Sequence, residues 1–185
     1  MQHDSIERPS AWVARFVPLM PAGETLDLAC GGGRHARLLA AAGHAVLALD
    51  RDVAAVTALG LPDVLPFRHD LEAEGSAWPF APGRFAGIVV TNYLHRPLFP
   101  RLLDSLAPGG VLVYETFAAG NARFGKPSRQ AFLLEPGELL DVVRPALRVI
   151  AFEDGYTALP RPAMVQRICA VRPDPGGGAT RLAIG

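Results

Sequence analysis

The segment from Thr25 to Asp50 constrains the fold more than any other part of the chain. It reads TLDLACGGGRHARLLAAAGHAVLALD, so an apolar run, a glycine-rich turn, an amphipathic stretch and a second apolar run follow one another. Short, almost continuous apolar runs are typical of strands that are buried on both faces of a parallel sheet. The amphipathic stretch between them has the period of a crossover helix. The segment therefore predicts a βαβ unit of a doubly wound α/β sheet.

The remainder of the chain repeats this alternation of strands and helices. Further strands are predicted at 63–70, 84–92, 111–116, 147–153 and 164–172, and helices at 52–59, 99–106 and 136–143. No helix fits between the last two strands. A parallel crossover usually needs a helix, so these two strands are predicted to form an antiparallel hairpin at the end of the sheet.

Length and composition fit one globular domain. The 185 residues suit a single α/β core, and we expect one domain over residues 1–172, an N-terminal helical segment within 1–23 and a flexible tail at 173–185. Neither a signal peptide nor a long apolar span is evident, which favours a cytoplasmic protein without membrane contact. The formal net charge of zero argues against nucleic acid as a partner. The cysteines, Cys30 and Cys169, show no metal-ligand spacing and are predicted to be buried strand residues.

The glycine turn and the acid after the second strand predict a nucleotide-like ligand. Gly31 and Gly33 allow the backbone to approach a ligand closely, and Asp50 ends the second strand, where a carboxylate can accept both hydroxyls of a ribose. Parallel sheets bind such ligands at the carboxyl ends of their strands. Gly31-x-Gly33-x-x-Ala36 also satisfies the NAD pattern, which is weak by itself.

Four features favour a different cofactor from NAD. Asp27 lies inside the first strand, where it can serve a cationic amino group, and His69-Asp70-Leu71 offers a carboxylate and an apolar contact for an adenine. Pro108-Gly109-Gly110 leads tightly into the fifth strand. The predicted terminal hairpin replaces a further βαβ unit.

With these motifs the chain resembles the class I S-adenosylmethionine-dependent methyltransferases. The resemblance rests on LDLACGGGRHARLLAAAGHAVLALDRD at 26–52, on LAPGG at 106–110 and on the terminal hairpin, and it covers roughly residues 24–172. The turn is most similar to that of small bacterial members associated with tellurite resistance. The resemblance implies a Rossmann-like seven-stranded sheet in the order 3-2-1-4-5-7-6 and S-adenosylmethionine as cofactor.

The resemblance also implies a cofactor site. Asp27 and the turn at 29–33 would hold the methionine part, Asp50 the ribose, and Asp70 and Leu71 the adenine, while Arg34 would pair with the cofactor carboxylate. Ala29 stands where the family usually has its first glycine. The full set of predicted cofactor-binding residues is Asp27, Ala29, Gly31, Gly33, Arg34, Asp50, Arg51, Asp70, Leu71 and Asn92.

The acceptor site is predicted beyond the fourth strand, at residues 91–96. His95 is the candidate general base, Tyr93 a candidate aromatic wall, and Arg96 a candidate partner for an anionic acceptor. Capping or packing by His95 and Tyr93, and simple solvent exposure of Arg96, are the alternatives. No metal site is predicted.

The charges between residues 91 and 130 suggest an acidic acceptor. Five basic residues (Arg96, Arg101, Arg123, Lys126, Arg129) stand against Asp104 and Glu115, a local excess of three positive charges in a neutral protein. We therefore expect a small acidic acceptor, such as a carboxylate, although solvated loop charge is the more common cause of such an excess. The loop at 117–133 is long for a connection and is predicted to cover the acceptor pocket.

The leading hypothesis is a methyltransferase that acts on a small molecule. An NAD(P)-dependent oxidoreductase is the alternative from another enzyme class, and a non-catalytic binding module or a modifier of tRNA or protein side chains is also open. The identity of the acceptor, the methylated atom and the oligomeric state are not determined by the sequence.

Overall fold

The computed structural model describes residues 8–176 of the chain. Its strands are β1 (Glu24–Leu28), β2 (Ala45–Asp50), β3 (Val64–Arg68), β4 (Phe85–Thr91), β5 (Leu106–Phe117), β6 (Arg148–Thr157) and β7 (Ala163–Val171). Its α-helices are α1 (Ala11–Phe16), α2 (Arg34–Ala41), α3 (Ala54–Thr57), α4 (Phe99–Ser105) and α5 (Glu138–Val143). Short 3-10 helices cover Val17–Leu19, Arg96–Leu98, Asn121–Arg123 and Gln130–Phe132.

The seven strands form one sheet in the order β3-β2-β1-β4-β5-β7-β6. The first five strands are parallel to one another, and β7 lies antiparallel to both β5 and β6. Both the strand order and the terminal hairpin confirm the sequence prediction. Because β7 runs against β5, with Phe117 opposite Val165, the tip of the β6–β7 hairpin lies at the carboxyl edge of the parallel strands.

Apolar side chains cover both faces of the sheet. On one face, α4 and α5 pack on residues such as Leu26, Leu47 and Ile88. On the other face, α1 and α2 pack on alternate residues of the same strands, including Ala48 and Val89. The alternation within a strand follows from its two-residue period, and the continuous apolar runs fit strands that are covered on both faces.

Several boundaries differ from the prediction for identifiable reasons. β1 ends at Leu28 because Ala29 has a left-handed φ of 54°. Cys30 therefore lies in the turn rather than in a strand, although it is buried, as Cys169 is in β7. β5 begins at Leu106, five residues earlier than predicted, because Leu106 already pairs with Phe85 before an irregularity in the ladder. Most of the predicted tail lies outside the described residues.

Two classes of feature are missing from the described part of the chain. Between residues 8 and 176 no helix has both the length and the apolar character that crossing a bilayer requires. Within the same range no three His, Cys, Asp or Glu side chains cluster so that they could hold a metal ion.

Candidate active site

The glycine turn between β1 and α2 lies at the centre of the carboxyl edge. Gly31 and Gly33 have left-handed φ angles of 51° and 75°. A Cβ atom on Gly31 or Gly32 would meet no heavy atom within 4 Å, so the outer side of the turn borders open space. A Cβ atom on Gly33 would instead lie 2.7 Å from Val56. Gly31 thus leaves room for a ligand, whereas Gly33 leaves room for α3.

Asp50 is fixed beside this turn by two backbone donors. Its Oδ2 accepts a hydrogen bond from the Gly31 N–H at 2.9 Å, and its Oδ1 accepts one from the Asp52 N–H at 3.1 Å. A carboxylate oxygen has further acceptor capacity beyond a single bond. The two bonds therefore orient the carboxylate while leaving it able to accept a diol.

Asp27 lies beneath the turn and is almost fully buried. Its Oδ2 accepts a hydrogen bond from the Ala36 N–H at 2.8 Å, which ties β1 to the first turn of α2. Burial raises the pKa of this carboxyl to about 7, although the Ala36 N–H and the charge of Arg34 oppose the shift. The positive charge of an amino group on a ligand that covers the turn would favour the ionised form of the Asp27 carboxylate.

A groove of about 910 Å³ opens between the ends of β2 and β3, and we call it the β2–β3 groove. Its lining residues are 51–54 and 68–70. It contains the predicted residues Arg51 and Asp70. Asp70 accepts the Glu72 N–H at 3.0 Å, which closes a local turn, and Leu71 packs against the apolar core.

Tyr93 is half-buried and packs against the apolar core. The pKa of its hydroxyl is raised by burial first, and then by the charge of Glu72, with which it is hydrogen-bonded, and by Asp70 and Asp50. These neighbours place the phenol near Asp50 and Asp70, so its role at the acceptor stays a prediction.

A second cavity, of about 580 Å³, lies at the ends of β4, β5 and β7, and we call it the basic cavity. Residues 8–11 form one wall, and Thr157, Leu159, Pro160 and Arg161 of the hairpin tip form the opposite wall. The remaining lining residues are Arg34, Asn92, Glu115, Phe117, Ala163, Val165 and Arg167. Its volume falls in the range of about 300–1,000 Å³ that is usual for small-molecule sites.

Four arginines and one glutamate line the basic cavity. Glu115 accepts hydrogen bonds from the Ser10 hydroxyl at 2.9 Å and from Arg167 at 3.3 Å. Arg167 also lies 2.9 Å from Glu153, in an ion pair that lacks hydrogen-bond geometry. Arg167 is therefore neutralised by its neighbours. The cavity is basic because its four lining arginines outnumber its one lining glutamate among the described residues.

A buried histidine joins the N-terminal wall to the sheet. The Ser10 N–H donates to His35 Nε2 at 3.0 Å, and His35 Nδ1 lies 3.3 Å from the Thr91 hydroxyl. Burial, together with the charge of Arg34, lowers the pKa of His35 to about 3. The ring is neutral at physiological pH and can keep Nε2 as an acceptor. Ser10 also begins α1, since its hydroxyl accepts the Trp12 N–H at 3.1 Å.

Arg96 has a different set of partners from the predicted one. It forms a two-pronged ion pair with Glu138 at 2.7 and 2.8 Å, and it donates to the carbonyl groups of Ala131 and Leu133. These contacts hold the segment before α5 against the end of β4. Arg96 is consequently a structural clamp, and neither it nor the half-buried His95 lines the basic cavity.

The structure thus divides the predicted site residues into two groups. The first group lies along the carboxyl edge from β1 to β3 and consists of the turn, Asp50, Arg51 and Asp70. The second group lines the basic cavity, next to the first, and consists of Arg34 and Asn92. Asn92 has a left-handed φ of 55°, and Arg34 Nη2 lies 3.5 Å from the Thr91 hydroxyl. A nucleoside with an amino-acid arm fits this path. Asp50 offers a carboxylate to its diol, the turn leaves open space, and Arg34 offers a cation to its carboxylate, in this order along the edge.

Sequence reasoning missed most of the basic cavity. Arg8, Ser10, Arg161 and Arg167 were not singled out, and Phe117 is the only lining residue from the loop that was predicted to cover the pocket. The available signal was the predicted hairpin, which places its tip, with Arg161, at the carboxyl edge.

A family model described as "Methyltransferase domain" matches residues 1–153. The chain is 31% identical over 118 residues to the trans-aconitate 2-methyltransferase of Paracidovorax citrulli, a match that covers 60% of this chain but only 45% of that enzyme. The chain therefore spans less than half the length of this curated relative.

Two solved structures share the fold. An S-adenosylmethionine-dependent methyltransferase from Mesorhizobium loti has a TM-score of 0.67 and 21% identity, covering 86% of this chain and 96% of that one. TehB from Haemophilus influenzae has a TM-score of 0.67 and 16% identity, covering 86% and 61%.

Proposed function

The chain belongs to the methyltransferase-domain family, as a class I S-adenosylmethionine-dependent methyltransferase, and we propose that it methylates a carboxylate of a small acidic molecule. The observation that carries the proposal is the basic cavity, where Arg8, Arg34 and Arg161 meet at the ends of β4, β5 and β7. The relatives named for trans-aconitate, a small acid, support the same class of acceptor.

On this proposal the residues along the carboxyl edge would hold the cofactor. Asp50 would bind the ribose hydroxyls, Asp70 and Leu71 would border the adenine, and the turn at 29–33 would lie under the methionine part. Arg34 would pair with the cofactor carboxylate. When bound, the cofactor supplies an electrophilic methyl group on a positively charged sulfur.

The acceptor then needs a nucleophilic atom in line with that methyl group. Among the lining residues within 8–176, Glu115 is the one side chain that could serve as a base, and it is already bonded to Ser10 and Arg167. A carboxylate is ionised at neutral pH and requires no base. The cavity therefore suits carboxylates better than amines, phenols or alcohols, which must lose a proton on methylation.

The task of the protein in this reaction is to hold the two partners close and aligned. Positioning of this kind can lower the barrier substantially without acid–base chemistry. The basic lining attracts the acid into the cavity, and the apolar parts of Phe117, Leu159 and Val165 reduce its contact with water.

This mechanism and the sequence hypothesis for His95 predict opposite results. If His95 were the general base, His95→Asn would lose activity and kcat would fall as pH drops through the histidine range. On the present proposal His95→Asn keeps activity within about twofold. With saturating cofactor, kcat/KM for the acid is then flat from pH 6.5 to 9.

The direct experiment is methyl transfer to a panel of acids, amines and phenols, with trans-aconitate among the acids and S-adenosylmethionine labelled in its methyl group. The expected product is a methyl ester, identified by its mass and by release of labelled methanol in alkali. Label on an amine or phenol, with none on any acid, would overturn the proposal.

A further inference from the structure

Three arginines that line the basic cavity come from different elements of the fold. Arg34 begins α2 and lies beside Asn92, at the end of the cavity that faces the glycine turn. Arg8 belongs to the N-terminal wall, and Arg161 belongs to the tip of the β6–β7 hairpin. Since the proposed function assigns Arg34 to the cofactor carboxylate, Arg161 needs a different anionic partner.

Arg161 is held in place by an aromatic ring. Its guanidinium carbon lies 5.5 Å from the centroid of Phe117, whose ring is buried with Leu133, Ala163 and Val165. No carboxylate among the described residues forms an ion pair with Arg161. A guanidinium held over a ring keeps its N–H donors for a planar anion, which it can bind through two parallel hydrogen bonds.

The carboxylate that reacts is not the natural partner of Arg161. That group must reach the cofactor at the Arg34 end, and a tight ion pair would reduce the nucleophilicity of its oxygens. Arg34 follows β1, whereas Arg161 lies at the tip of the β6–β7 hairpin, and β4 and β5 lie between β1 and this hairpin in the sheet. The position of Arg161 suits a second carboxylate on the same acceptor.

We propose that Arg161 is a specificity-determining residue that binds a non-reacting carboxylate, so that the site selects acceptors with two or more carboxylates over monocarboxylates. This inference rests on the proposed function, since it assumes that the basic cavity holds the acceptor. Arg8, on the opposite wall, adds to the positive potential that draws such a polyanion into the cavity.

The test uses acceptors that differ in their number of carboxylates: trans-aconitate with three, fumarate with two and crotonate with one. The variants are Arg161→Gln, which removes the charge, and Arg161→Lys, which keeps the charge but loses the planar fork. Arg148→Gln is the matched control, because Arg148 is an exposed arginine of β6 outside the cavity.

Arg161→Gln is expected to lower kcat/KM for trans-aconitate by roughly 10-fold to 100-fold, the usual contribution of one charge-assisted hydrogen bond. The loss should appear mainly in KM. For crotonate, kcat/KM of Arg161→Gln should differ from that of wild type by less than about twofold. For trans-aconitate, kcat/KM of Arg161→Lys should lie between the values of wild type and Arg161→Gln, and kcat/KM of Arg148→Gln should equal that of wild type. Binding of trans-aconitate to the complex with S-adenosylhomocysteine, measured by calorimetry, should weaken in parallel.

Two results would overturn the inference. One is an equal loss for trans-aconitate and crotonate, which would assign Arg161 to the reacting carboxylate or to the fold. The other is unchanged turnover and binding of trans-aconitate in Arg161→Gln. In both cases wild-type ester formation leaves the proposed function intact, whereas a wild-type protein that neither binds nor methylates any acid ends both proposals.

Discussion

The two halves of the carboxyl edge are built in different ways. The cofactor half, from the glycine turn to the β2–β3 groove, comes from one continuous stretch between Asp27 and Leu71. The other half, the basic cavity that we propose as the acceptor site and call the acceptor half, is assembled from four remote segments: the N-terminal wall, the ends of β4 and β5, and the hairpin tip. The binding site for a ligand that a whole family shares can be encoded in a local sequence motif. The binding site for a specific acceptor is formed by residues that are distant in sequence and that only the fold brings together.

The halves also differ in how their polar groups are held. In the cofactor half, backbone N–H groups orient Asp27 and Asp50. In the acceptor half, side chains hold one another, as Ser10, Glu115 and Arg167 do. Support by the backbone does not depend on the identity of neighbouring side chains. Cofactor binding should therefore tolerate substitutions elsewhere in the chain, while substitutions in the acceptor half should alter the specificity for the acceptor.

The largest expected effect separates two glycines of one turn. Gly33→Ala should lose about 2–4 kcal/mol of unfolding free energy, because the new methyl group overlaps Val56 and Leu59 and the left-handed backbone adds strain. Gly31→Ala should lose only the backbone cost of about 1–2 kcal/mol. Urea denaturation measures both.

Cofactor binding provides the second half of this comparison. The methyl group of Gly31→Ala enters the open space over the turn, so binding of S-adenosylhomocysteine to this stable variant should weaken by roughly tenfold or more, or about 1.4 kcal/mol. Equal stability losses for the two variants, with unchanged binding to Gly31→Ala, would show that the turn does not contact the ligand.

A smaller effect tests the assignment of Arg96 to the fold. Arg96→Gln breaks the pair with Glu138 and should lower the unfolding free energy by roughly 1–2 kcal/mol, since the pair is partly exposed. The acceptor KM should stay within about twofold. Arg101→Gln is the control, an exposed arginine of α4. A large rise in the acceptor KM without a loss of stability would show that Arg96 contributes to the acceptor site and not to the fold.

A further prediction concerns the pH dependence of stability through Asp27. Its pKa is about 7 in the folded protein, against an ordinary value of 3.8. Between these values the folded state holds a proton that the unfolded state has lost, so this group makes the wild type less stable as pH rises. Asp27→Asn should therefore gain stability relative to wild type between pH 5 and pH 8, as judged by urea midpoints.

Asp63→Asn is the control for this measurement, because Asp63 is an exposed carboxylate at the opposite edge of the sheet. Parallel pH profiles for wild type and Asp27→Asn would mean that Asp27 is ionised in the folded protein throughout this range.

The sheet and the position of the cofactor half were predictable because both depend on local patterns. The apolar pattern of the first strands, the glycine turn and Asp50 all fall within a few tens of residues of sequence. The absence of a helix between β6 and β7 predicts the hairpin. The left-handed Ala29, which ends β1 early, was not predictable, since nothing in its side chain signals a positive φ.

The acceptor half was not predictable for a physical reason. Proximity to β4 in sequence suggested Tyr93, His95 and Arg96, but Tyr93 turns toward Glu72 and Arg96 toward Glu138. None of the five basic residues between 91 and 130 that suggested an acidic acceptor lines the basic cavity, whose lining arginines are Arg8, Arg34, Arg161 and Arg167. Which arginine finds a carboxylate within the fold, and which lines a cavity, depends on contacts between residues distant in sequence.

The most direct test of the account is calorimetric titration of the protein with S-adenosylmethionine, S-adenosylhomocysteine and NADH, repeated with Asp50→Ala and Asp50→Asn and with Asp63→Ala as control. The account predicts that the two sulfur nucleosides bind and NADH does not. It also predicts that Asp50→Ala weakens binding by roughly a hundredfold, the loss of two charge-assisted hydrogen bonds, while Asp63→Ala binds as wild type. Binding of NADH alone, or unchanged affinity in Asp50→Ala, would contradict it.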